Sequence, residues 1–221
     1  SVTHNYMLVD PEKDLDVLLA QLGKLKKFCF DTETTSTDQL KAELVGLAFS
    51  WKAHEGYYIP VPADRNEAQK VVDRFRSVLE DPTVTKVAQN AKYDVMVMAN
   101  YGIEVKGQLF DTMIAHYLLH PELRHGMDYL SETYLQYRPV SIETLIGPKG
   151  KNQRNMRDAD VNDVKEYSAE DADITWQLHE LFAPELKSDQ VEGLFNDLEM
   201  PLVNVLAAME REGIRLDIPA L

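Results

Sequence analysis

Short runs of apolar residues, several with alternating polar positions, predict strands in the first half of the chain. These runs occupy residues 6–9, 27–34, 44–51, 56–61 and 84–89. Between them the apolar positions recur at helical spacing instead. One such set predicts a helix over about 10–25, and it consists of Leu15, Leu18, Leu19 and Leu22. A second set predicts a helix over 66–79, and it consists of Val71, Val72, Phe75 and Val78.

The second half of the chain has the spacing of apolar positions that is typical of helices. We predict helices over about 92–101, 111–119, 127–137, 141–146, 161–186 and 191–211. Strands first, then alternating elements and finally helices indicate an α/β fold with a mixed sheet flanked by helices. The last helix carries an apolar stripe of Leu202, Val205, Leu206 and Met209. This stripe either packs back on the domain or begins a further domain.

Composition fits a globular protein and excludes several classes. Hydrophobic residues make up 44% and charged residues 27% of the 221-residue chain, as in ordinary soluble domains. No apolar run approaches the roughly 20 residues needed to cross a bilayer, so we expect a cytoplasmic protein without a membrane partner. A single cysteine, Cys29, excludes an intramolecular disulfide and a cysteine-rich zinc site. Its place between two phenylalanines favours a buried, unreactive thiol.

The net charge of −14 argues against nucleic-acid binding, since phosphate contacts normally come from Lys and Arg. Charge alone therefore favours a small-molecule enzyme, although no Gly-rich phosphate loop, nucleophile elbow or cofactor signature supports one. A local basic patch or bound divalent cations would reverse that interpretation, because cations turn acidic residues into phosphate sites. None of the six histidines has metal-ligand spacing with another, so we interpret them as structural or surface residues.

Two acidic residues lie at the polar end of the second predicted strand. Asp31 and Glu33 are two positions apart and point to the same face of a strand, whereas Thr32 points away. Close carboxylates repel unless a cation lies between them, and oxygen ligands of this kind suit Mg²⁺ or Mn²⁺. An isolated Asp-x-Glu is more often a pair of solvated acids, so this motif alone does not identify a site.

Two further motifs are equally ambiguous when taken alone. Asp94 lies in the first turn of a predicted helix, where acids commonly only compensate the helix dipole. Tyr167 and Asp171 are four positions apart in a long predicted helix and therefore share one face. Asp173 lies nearly opposite Asp171, and we expect it to be solvated or to act as a cap.

In this order and on these elements, the three motifs resemble the DEDD exonuclease superfamily. Its pattern is Asp-x-Glu on a first strand, an Asp after a later strand, and Tyr-x-x-x-Asp on a late helix, and Tyr167 indicates the tyrosine subclass. Longer stretches at 30–34, 89–94, 99–103, 110–113 and 167–173 resemble the 3′→5′ proofreading domain of bacterial family A polymerases of the DNA polymerase I type. This resemblance runs from about residue 6 to 186. The segment 198–214 resembles the start of their polymerase region.

The resemblance implies a domain division and a site. Residues 1–190 would form an exonuclease domain with a ribonuclease H-like fold, and 191–221 the truncated start of the polymerase region. Two divalent ions, Mg²⁺ or Mn²⁺, are the implied cofactors. Asp31, Glu33 and Asp171 would hold one ion, Asp31 would also bridge to the second, and Asp94 would act largely through water. Tyr167, with an ordinary hydroxyl pKa near 10, would orient the attacking water rather than act as the base.

The implied substrate is an unpaired DNA 3′ end, hydrolysed to 5′-mononucleotides as the proofreading step of a polymerase active in replication and repair. The polymerase region of the same parent chain is the implied partner. The resemblance also implies a bacterial, nucleoid-associated protein in the cytoplasm, and we expect a monomer.

Cations gather in one segment that is a candidate for contacting this substrate. Residues 147–157 carry four cations and no acid, which favours phosphate contact over a merely solvated loop. With the residues that the resemblance adds, the predicted DNA contacts are Thr34, Gln89, Asn90, Lys92, Tyr93, Arg124, Lys149, Lys151 and Arg154. Tyr93 either stacks on a base or packs in the core. Related domains insert an apolar side chain just after Asp-x-Glu, whereas residues 34–37 are all polar here, so the grip on the terminal base stays undefined.

Two alternative functions stay open. An autonomous RNA-trimming exonuclease of the ribonuclease D type uses the same motifs, although the polymerase-like tail argues against it. Some family A polymerases keep this fold as a scaffold that has lost its carboxylates, although all four carboxylates and the tyrosine are present here.

Overall fold

A six-stranded mixed sheet forms the centre of the structure, a computed structural model that describes residues 3–216. The strands are β1 (Asn5–Leu8), β2 (Lys27–Thr34), β3 (Leu44–Ser50), β4 (Glu55–Pro60), β5 (Thr85–Ala88) and β6 (Leu109–Asp111). Their order in the sheet is β1-β4-β3-β2-β5-β6. The three strands β2, β3 and β4 form an antiparallel meander, and β1, β5 and β6 pair in parallel at the two edges. The predicted α/β fold with a mixed sheet is therefore confirmed.

The helices surround this sheet. They are α1 (Leu15–Leu22), α2 (Arg65–Asp73), α3 (Arg76–Leu79), α4 (Ala91–Asn100), α5 (Thr112–Leu119), α6 (Met127–Leu130), α7 (Ile142–Ile146), α8 (Val161–Ser188), α9 (Glu192–Leu194) and α10 (Met200–Glu212). The longest, α8, packs across strands β1 to β5. Asp160 fixes its start by accepting a hydrogen bond from the backbone N–H of Asn162 at 2.8 Å. This placement brings the middle of α8 over the polar end of β2.

Burial on both faces explains the apolar runs of the central strands. Every residue of β3 is buried, as expected for a strand covered on both sides. Phe49 of β3 packs edge-on against Phe28, with ring centroids 5.7 Å apart, and stacks on Phe75 at 5.1 Å. All three rings are fully buried, so they form the centre of the main hydrophobic core.

Several element boundaries differ from the sequence prediction. The helix predicted over about 10–25 is shorter, because residues 11–14 form a turn and α1 spans Leu15–Leu22. The helix predicted over 66–79 is broken into α2 and α3, because the chain turns at Phe75 to place that ring in the core. Strand β6 was not predicted, since three residues are too short to give a periodic signal. The helix predicted over 127–137 continues beyond α6 as a π-helical turn, Ser131–Leu135. None of these differences moves a residue of the predicted site.

The C-terminal helices pack on the body of the domain. The helix predicted over 191–211 consists of α9, a π-helical turn (Phe195–Glu199) and α10. Phe195, Met200 and Val203 are buried in the same core as the sheet. The predicted apolar stripe of α10 is instead exposed on its other side. The predicted domain limits at residues 1 and 221 lie outside the described residues. Within residues 3–216, none of the helices has the length and apolar character that a membrane span requires.

Candidate functional site

Strand β2, an inner strand of the sheet, carries Asp31 and Glu33 in its second half, beneath α8. The pairing of β2 with β3 shifts between Glu33 and Thr34, so the strand leaves regular register there. Glu33 is only 7% exposed and accepts a hydrogen bond of 2.6 Å from the hydroxyl of Ser168 on α8. One of its carboxylate oxygens is therefore held by a neutral donor.

Helix α8 contributes the third carboxylate. Carboxylate oxygens of Asp31, Glu33 and Asp171 all lie within 4.8 Å of one another. The hydroxyl of Tyr167, one turn before Asp171, lies close enough to the Asp171 carboxylate for the two groups to shift each other's pKa. Two residues of β2 and two of α8, far apart in the sequence, thus meet at one point.

Asp94 lies at the margin of this cluster, held by the strand residue between the two acids of β2. Its Oδ1 accepts from the Thr32 hydroxyl at 2.6 Å and from the Thr32 backbone N–H at 3.1 Å. Asp94 is 2% exposed and does not belong to the group of three carboxylates within 4.8 Å that the structure forms over residues 3–216. It is close enough that the charge of Asp31 raises its pKa.

A buried carboxylate fixes the start of the helix that carries Asp94. Asp111, at the end of β6, accepts from the backbone N–H groups of Asn90 at 3.1 Å and Ala91 at 2.7 Å. It also caps α5 by accepting from the N–H of Met113 at 2.9 Å. Asn90 itself has a left-handed backbone with φ of 64°. The turn from β5 into α4 is therefore set by β6, the strand that the sequence did not reveal.

Burial raises the pKa of every carboxyl in the cluster. Burial brings the pKa of Asp31 to about 7. The pKa values of Glu33, Asp94 and Asp171 lie well above the ordinary range, first because of burial and second because of the charge on Asp31. The hydroxyl pKa of Tyr167 is likewise raised by burial and by the charge of Asp171. A bound cation would stabilise the ionised carboxylates, and an all-oxygen donor set of this kind fits Mg²⁺ or Mn²⁺.

An open cleft of about 640 Å³ lies beside the carboxylates. Glu33 forms part of its lining, so the cleft leads directly to the cluster. Four of the predicted DNA contacts line it, namely Thr34, Asn90, Tyr93 and Arg154. The polar residues 34–37 line the cleft, and the segment 142–156 adds three apolar side chains to the lining, namely Ile142, Ile146 and Met156. The cleft is thus lined by the polar residues 34–37, referred to below as its polar wall, and by a partly apolar segment.

Tyr93 packs against the main hydrophobic core and also lines this cleft. Its hydroxyl lies 2.5 Å from the backbone carbonyl of Ser36 and 2.5 Å from the hydroxyl of Thr34. The side chain is half-buried, so one edge of the ring remains available to the cleft. Tyr93 therefore ties α4 to the loop that follows β2.

The remaining predicted DNA contacts lie elsewhere. Lys92 pairs with Glu210 of α10, and Gln89 donates to the backbone carbonyl of His125 at 2.8 Å. Arg124 lines a separate shallow depression with Tyr129 and Glu132. Lys149 and Lys151 are exposed and do not line the cleft within the described residues.

One cation of the basic segment has a structural role that its sequence did not reveal. The guanidinium of Arg157 donates to the backbone carbonyls of Val61, at 3.1 Å, and Leu44, at 2.5 Å. These carbonyls lie just beyond β4 and at the start of β3. Arg157 therefore anchors the segment to the sheet and is not available to a phosphate, which leaves three cations of the four.

The prediction that Asp173 is solvated or acts as a cap was wrong. Asp173 is 2% exposed and accepts from the hydroxyl of Tyr6 at 2.7 Å and the backbone N–H of His54 at 2.8 Å. Gln177 also donates to it, at 2.9 Å. The reason is that α8 is covered on more than one side, so residues nearly opposite Asp171 face β1 and the turn before β4. Through these bonds Asp173 holds the rotation of α8 about its own axis, and it lies outside the carboxylate cluster.

Sequence reasoning also missed two hydroxyls that hold the site together. Thr32 points away from Asp31 and Glu33, as predicted, and on that side its hydroxyl donates to Asp94. Ser168 was not singled out, although it holds Glu33. Each lies next to a predicted site residue in the sequence, which is the one signal that could have identified them.

Comparisons with known proteins agree with the motifs. A family model described as a 3′-5′ exonuclease matches residues 6–187. DNA polymerase I of Borreliella burgdorferi is 35% identical over 216 residues, which cover 96% of this chain and 23% of that protein. DNA polymerase I of Pseudomonas aeruginosa is 35% identical over 223 residues, covering 96% and 24%. The chain therefore spans about a quarter of the length of these relatives.

Solved structures share the fold at lower sequence identity. Brucella melitensis NrnC with bound Mg²⁺ has a TM-score of 0.74 at 19% identity, covering 98% of each chain. The catalytic core of RRP6 from Trypanosoma brucei has a TM-score of 0.68 at 19% identity, covering 90% of this chain and 52% of that one. These likenesses confirm the predicted ribonuclease H-like exonuclease fold.

Proposed function

The chain belongs to the family of 3′-5′ exonuclease domains found in bacterial DNA polymerase I, and on that premise we propose that it removes nucleotides from single-stranded or frayed DNA 3′ ends. The products are 5′-mononucleotides. The observation that carries this proposal is the convergence of carboxylate oxygens from Asp31, Glu33 and Asp171 within 4.8 Å at the end of an open cleft.

The carboxylates are the groups that would hold two divalent cations. When bound, such ions supply a hydroxide-like nucleophile near neutral pH and neutralise charge on the scissile phosphate. Asp31, Glu33 and Asp171 would share one ion, and Asp31 would face the second. Asp94 lies at the margin of the cluster, which supports a role through bound water.

Tyr167 serves in this proposal to orient the attacking water. Burial and the neighbouring Asp171 carboxylate raise its hydroxyl pKa above the ordinary value. A hydroxyl that holds its proton so firmly is a poor general base near neutral pH. Tyr167 lies one turn before Asp171 on α8 and beside its carboxylate, so the hydroxyl oxygen is near the carboxylate cluster, as a positioning group requires.

The lining of the cleft supports the proposed preference for unpaired ends. The cleft is lined by both polar and apolar side chains. A base that has left the duplex could therefore pack its faces against apolar side chains and form hydrogen bonds with its edges. Arg154 is the cation of the basic segment that lines it, and Lys149 and Lys151 lie close by in the sequence. We infer that these three residues contact the phosphates upstream of the terminal nucleotide.

The parent protein in this proposal is a DNA polymerase that acts in replication and repair. Residues 191–221 would begin its polymerase region, which would be the partner of the exonuclease domain. The similarity to DNA polymerase I extends over 96% of the chain, and so beyond the matched exonuclease model. We further infer that the protein works in the bacterial cytoplasm at the nucleoid, and as a monomer.

Degradation of matched single-stranded DNA and RNA oligonucleotides in Mg²⁺ or Mn²⁺ tests the proposal. We expect release of 5′-mononucleotides from DNA 3′ ends, lost in Asp31→Ala and in Asp94→Ala. Asp163→Ala is the matched control, since Asp163 is exposed on the same helix as Asp171. A clear preference for RNA would favour the ribonuclease D type of function. No cleavage and no binding of divalent ions by the unmodified chain would establish the scaffold function.

A further inference from the structure

The loop between β2 and β3, residues 35–43, forms the polar wall of the cleft and is named here the rim loop. Thr35, Ser36 and Thr37 line the cleft. The loop closes on itself, because the N–H of Thr35 donates to the carbonyl of Glu43 at 3.0 Å, and Ala42 donates to Asp38 at 2.9 Å. These bonds give the loop a shape but do not attach it to the rest of the domain.

Helix α4 attaches the rim loop at two points. Near the cluster, the hydroxyl of Tyr93 donates to the Ser36 carbonyl. Far from the cluster, the side chain of Asn100 donates to the backbone carbonyl of Gln39 at 2.8 Å. The first and last turns of α4 thus hold the rim loop at Ser36 and at Gln39.

A third attachment comes from α10, a helix that contributes nothing to the carboxylate cluster. The Glu210 carboxylate accepts from the side chain of Gln39 at 2.9 Å with one oxygen. Its other oxygen pairs with Lys92 in the first turn of α4, two residues before Asp94. Arg211 next to it approaches the side-chain oxygen of Asn100 at 3.4 Å. One carboxylate therefore joins the rim loop, the helix of Asp94 and the C-terminal helix.

We propose that Glu210 is a positioning residue for substrate binding, which holds the rim loop against α4 and so sets the polar wall of the cleft. This inference rests on the proposed function, because it assigns the cleft to the DNA 3′ end. It also gives Lys92 a role other than phosphate contact: its ammonium group is one anchor of the Glu210 carboxylate.

The expected effect is on substrate binding and not on folding. The side chains of Glu210 and Lys92 are 37% and 33% exposed, and ion pairs this exposed add little to stability. The bonds from Tyr93 and Asn100 still join the rim loop to α4, so loss of the Glu210 contact leaves the loop in place but lets the segment around Gln39 fluctuate more. Asp94 keeps its hydrogen bonds to Thr32, and the carboxylate cluster is unchanged.

Steady-state kinetics on a single-stranded DNA oligonucleotide, with the 221-residue chain, test the proposal. We expect Glu210→Ala to raise KM by about 3–10-fold with kcat changed less than about two-fold, the pattern of lost ground-state binding. Gln39→Ala removes the same contact from the loop side and should give the same KM. The double variant should add nothing to Glu210→Ala, because the bond between Gln39 and Glu210 is already lost in that variant. Glu212→Ala is the matched control, an exposed acid on the same helix.

Amide hydrogen exchange of residues 35–43 gives a readout that does not depend on activity. We expect faster exchange in Glu210→Ala and Gln39→Ala than in the unmodified chain and in Glu212→Ala, at equal thermal midpoints. An unchanged KM, unchanged exchange in the rim loop, or an equal effect of Glu212→Ala would overturn the proposal. An inactive unmodified chain would refute the exonuclease function alone, since the exchange measurement would still decide whether Glu210 holds the loop.

Discussion

At the scale of single residues, one hydroxyl connects two of the elements that meet at the site. Thr32 donates to Asp94 from both its side chain and its backbone, although the two residues are 62 positions apart. The side-chain bond is short, 2.6 Å, and both residues are buried. Loss of a donor that orients a metal ligand typically costs about 10–100-fold in metal affinity or activity.

We therefore expect Thr32→Val to reduce exonuclease activity by roughly 10–100-fold while the fold is retained. Valine keeps the shape of threonine and leaves the backbone N–H bond to Asp94, so only the hydroxyl is tested. Activity measured across a range of Mg²⁺ concentrations should show a higher requirement for the metal. Thr32→Ser should recover most of the activity, because it restores the donor. Equal activity in the valine and serine variants would show that the bond to Asp94 is dispensable.

The carboxylate cluster makes stability depend on pH when no metal is bound. Its folded-state pKa values are raised, that of Asp31 to about 7 from an ordinary 3.8. The folded protein therefore binds more protons than the unfolded chain above pH 4, so stability falls as pH rises. The loss begins near the unfolded pKa and, for Asp31, is complete above about pH 7.

In the presence of a chelator we expect the thermal midpoint to fall by roughly 5 °C or more between pH 5 and pH 8. Saturating Mg²⁺ or Mn²⁺ should reduce this fall, because the cation favours the ionised carboxylates. Asp31→Asn should also reduce it, and should raise the metal-free midpoint at pH 8 while activity is lost. A midpoint that rises with pH in chelator would contradict the raised pKa values.

The site residues divide by whether local spacing or long-range packing selects them. Strand and helix periodicity place Asp31 with Glu33, and Tyr167 with Asp171, on one face. The resemblance to known exonucleases selected them as a site, and the structure brings these four together. Asp173 could not be placed correctly, since its partners Tyr6 and His54 are 167 and 119 positions away. Periodicity identifies a face of a helix, but it does not identify what covers that face.

At the scale of elements, length decided what the sequence could predict. The bounds of β2 agree with the predicted strand over 27–34, because eight residues carry a clear pattern. The three residues of β6 gave none, and yet Asp111 at its end holds the start of α4. The division of the predicted helix 66–79 at Phe75 depends on the partner ring Phe49, which lies elsewhere in the chain. Helix propensity was overridden there by core packing.

Close packing of α8 on the sheet gives a prediction for a glycine remote from the cluster. A Cβ atom on Gly56 of β4 would lie 2.7 Å from the backbone oxygen of Ala169 and 2.8 Å from its Cβ. Ala169 lies between Tyr167 and Asp171, so α8 can make room only by moving both. We expect Gly56→Ala to destabilise the domain by about 1–3 kcal/mol and to reduce activity more than that loss of folded protein explains.

Urea unfolding and single-nucleotide release assays on the same preparation would measure these two effects. Gly126→Ala is the matched control, because no heavy atom lies within 4 Å of the Cβ that it would add. It should leave both stability and activity nearly unchanged. If Gly56→Ala also leaves the rate unchanged, the position of α8 is less important to the site than the geometry implies.

At the scale of the whole molecule, the charge balance gave a misleading first indication. The net charge of −14 argued against a nucleic-acid substrate, but three of the acids form a cluster, one member buried and two half-buried, that fits divalent cations. The cations that could meet phosphates are concentrated in the segment 147–157 and one of them, Arg157, is used to anchor it. Average charge therefore says less about a phosphate-binding enzyme than the position of a few side chains does.

The relation of the C-terminal helices to the rest of the chain leads to the last prediction. Phe195 is 1% exposed and its ring lies 4.8 Å from that of Phe110, next to Asp111. We expect Phe195→Ala to destabilise the entire domain by about 3–5 kcal/mol, the cost of emptying a buried aromatic site, with a single unfolding transition in urea. Leu198→Ala, at a position 57% exposed on the same turn, should change stability by less than about 0.5 kcal/mol.

If residues from 191 onward were a separate unit, Phe195→Ala would instead produce a second transition and leave the main midpoint in place. Because Phe110 precedes the carboxylate that holds α4, the same variant should also lower activity at urea concentrations where the protein is still folded.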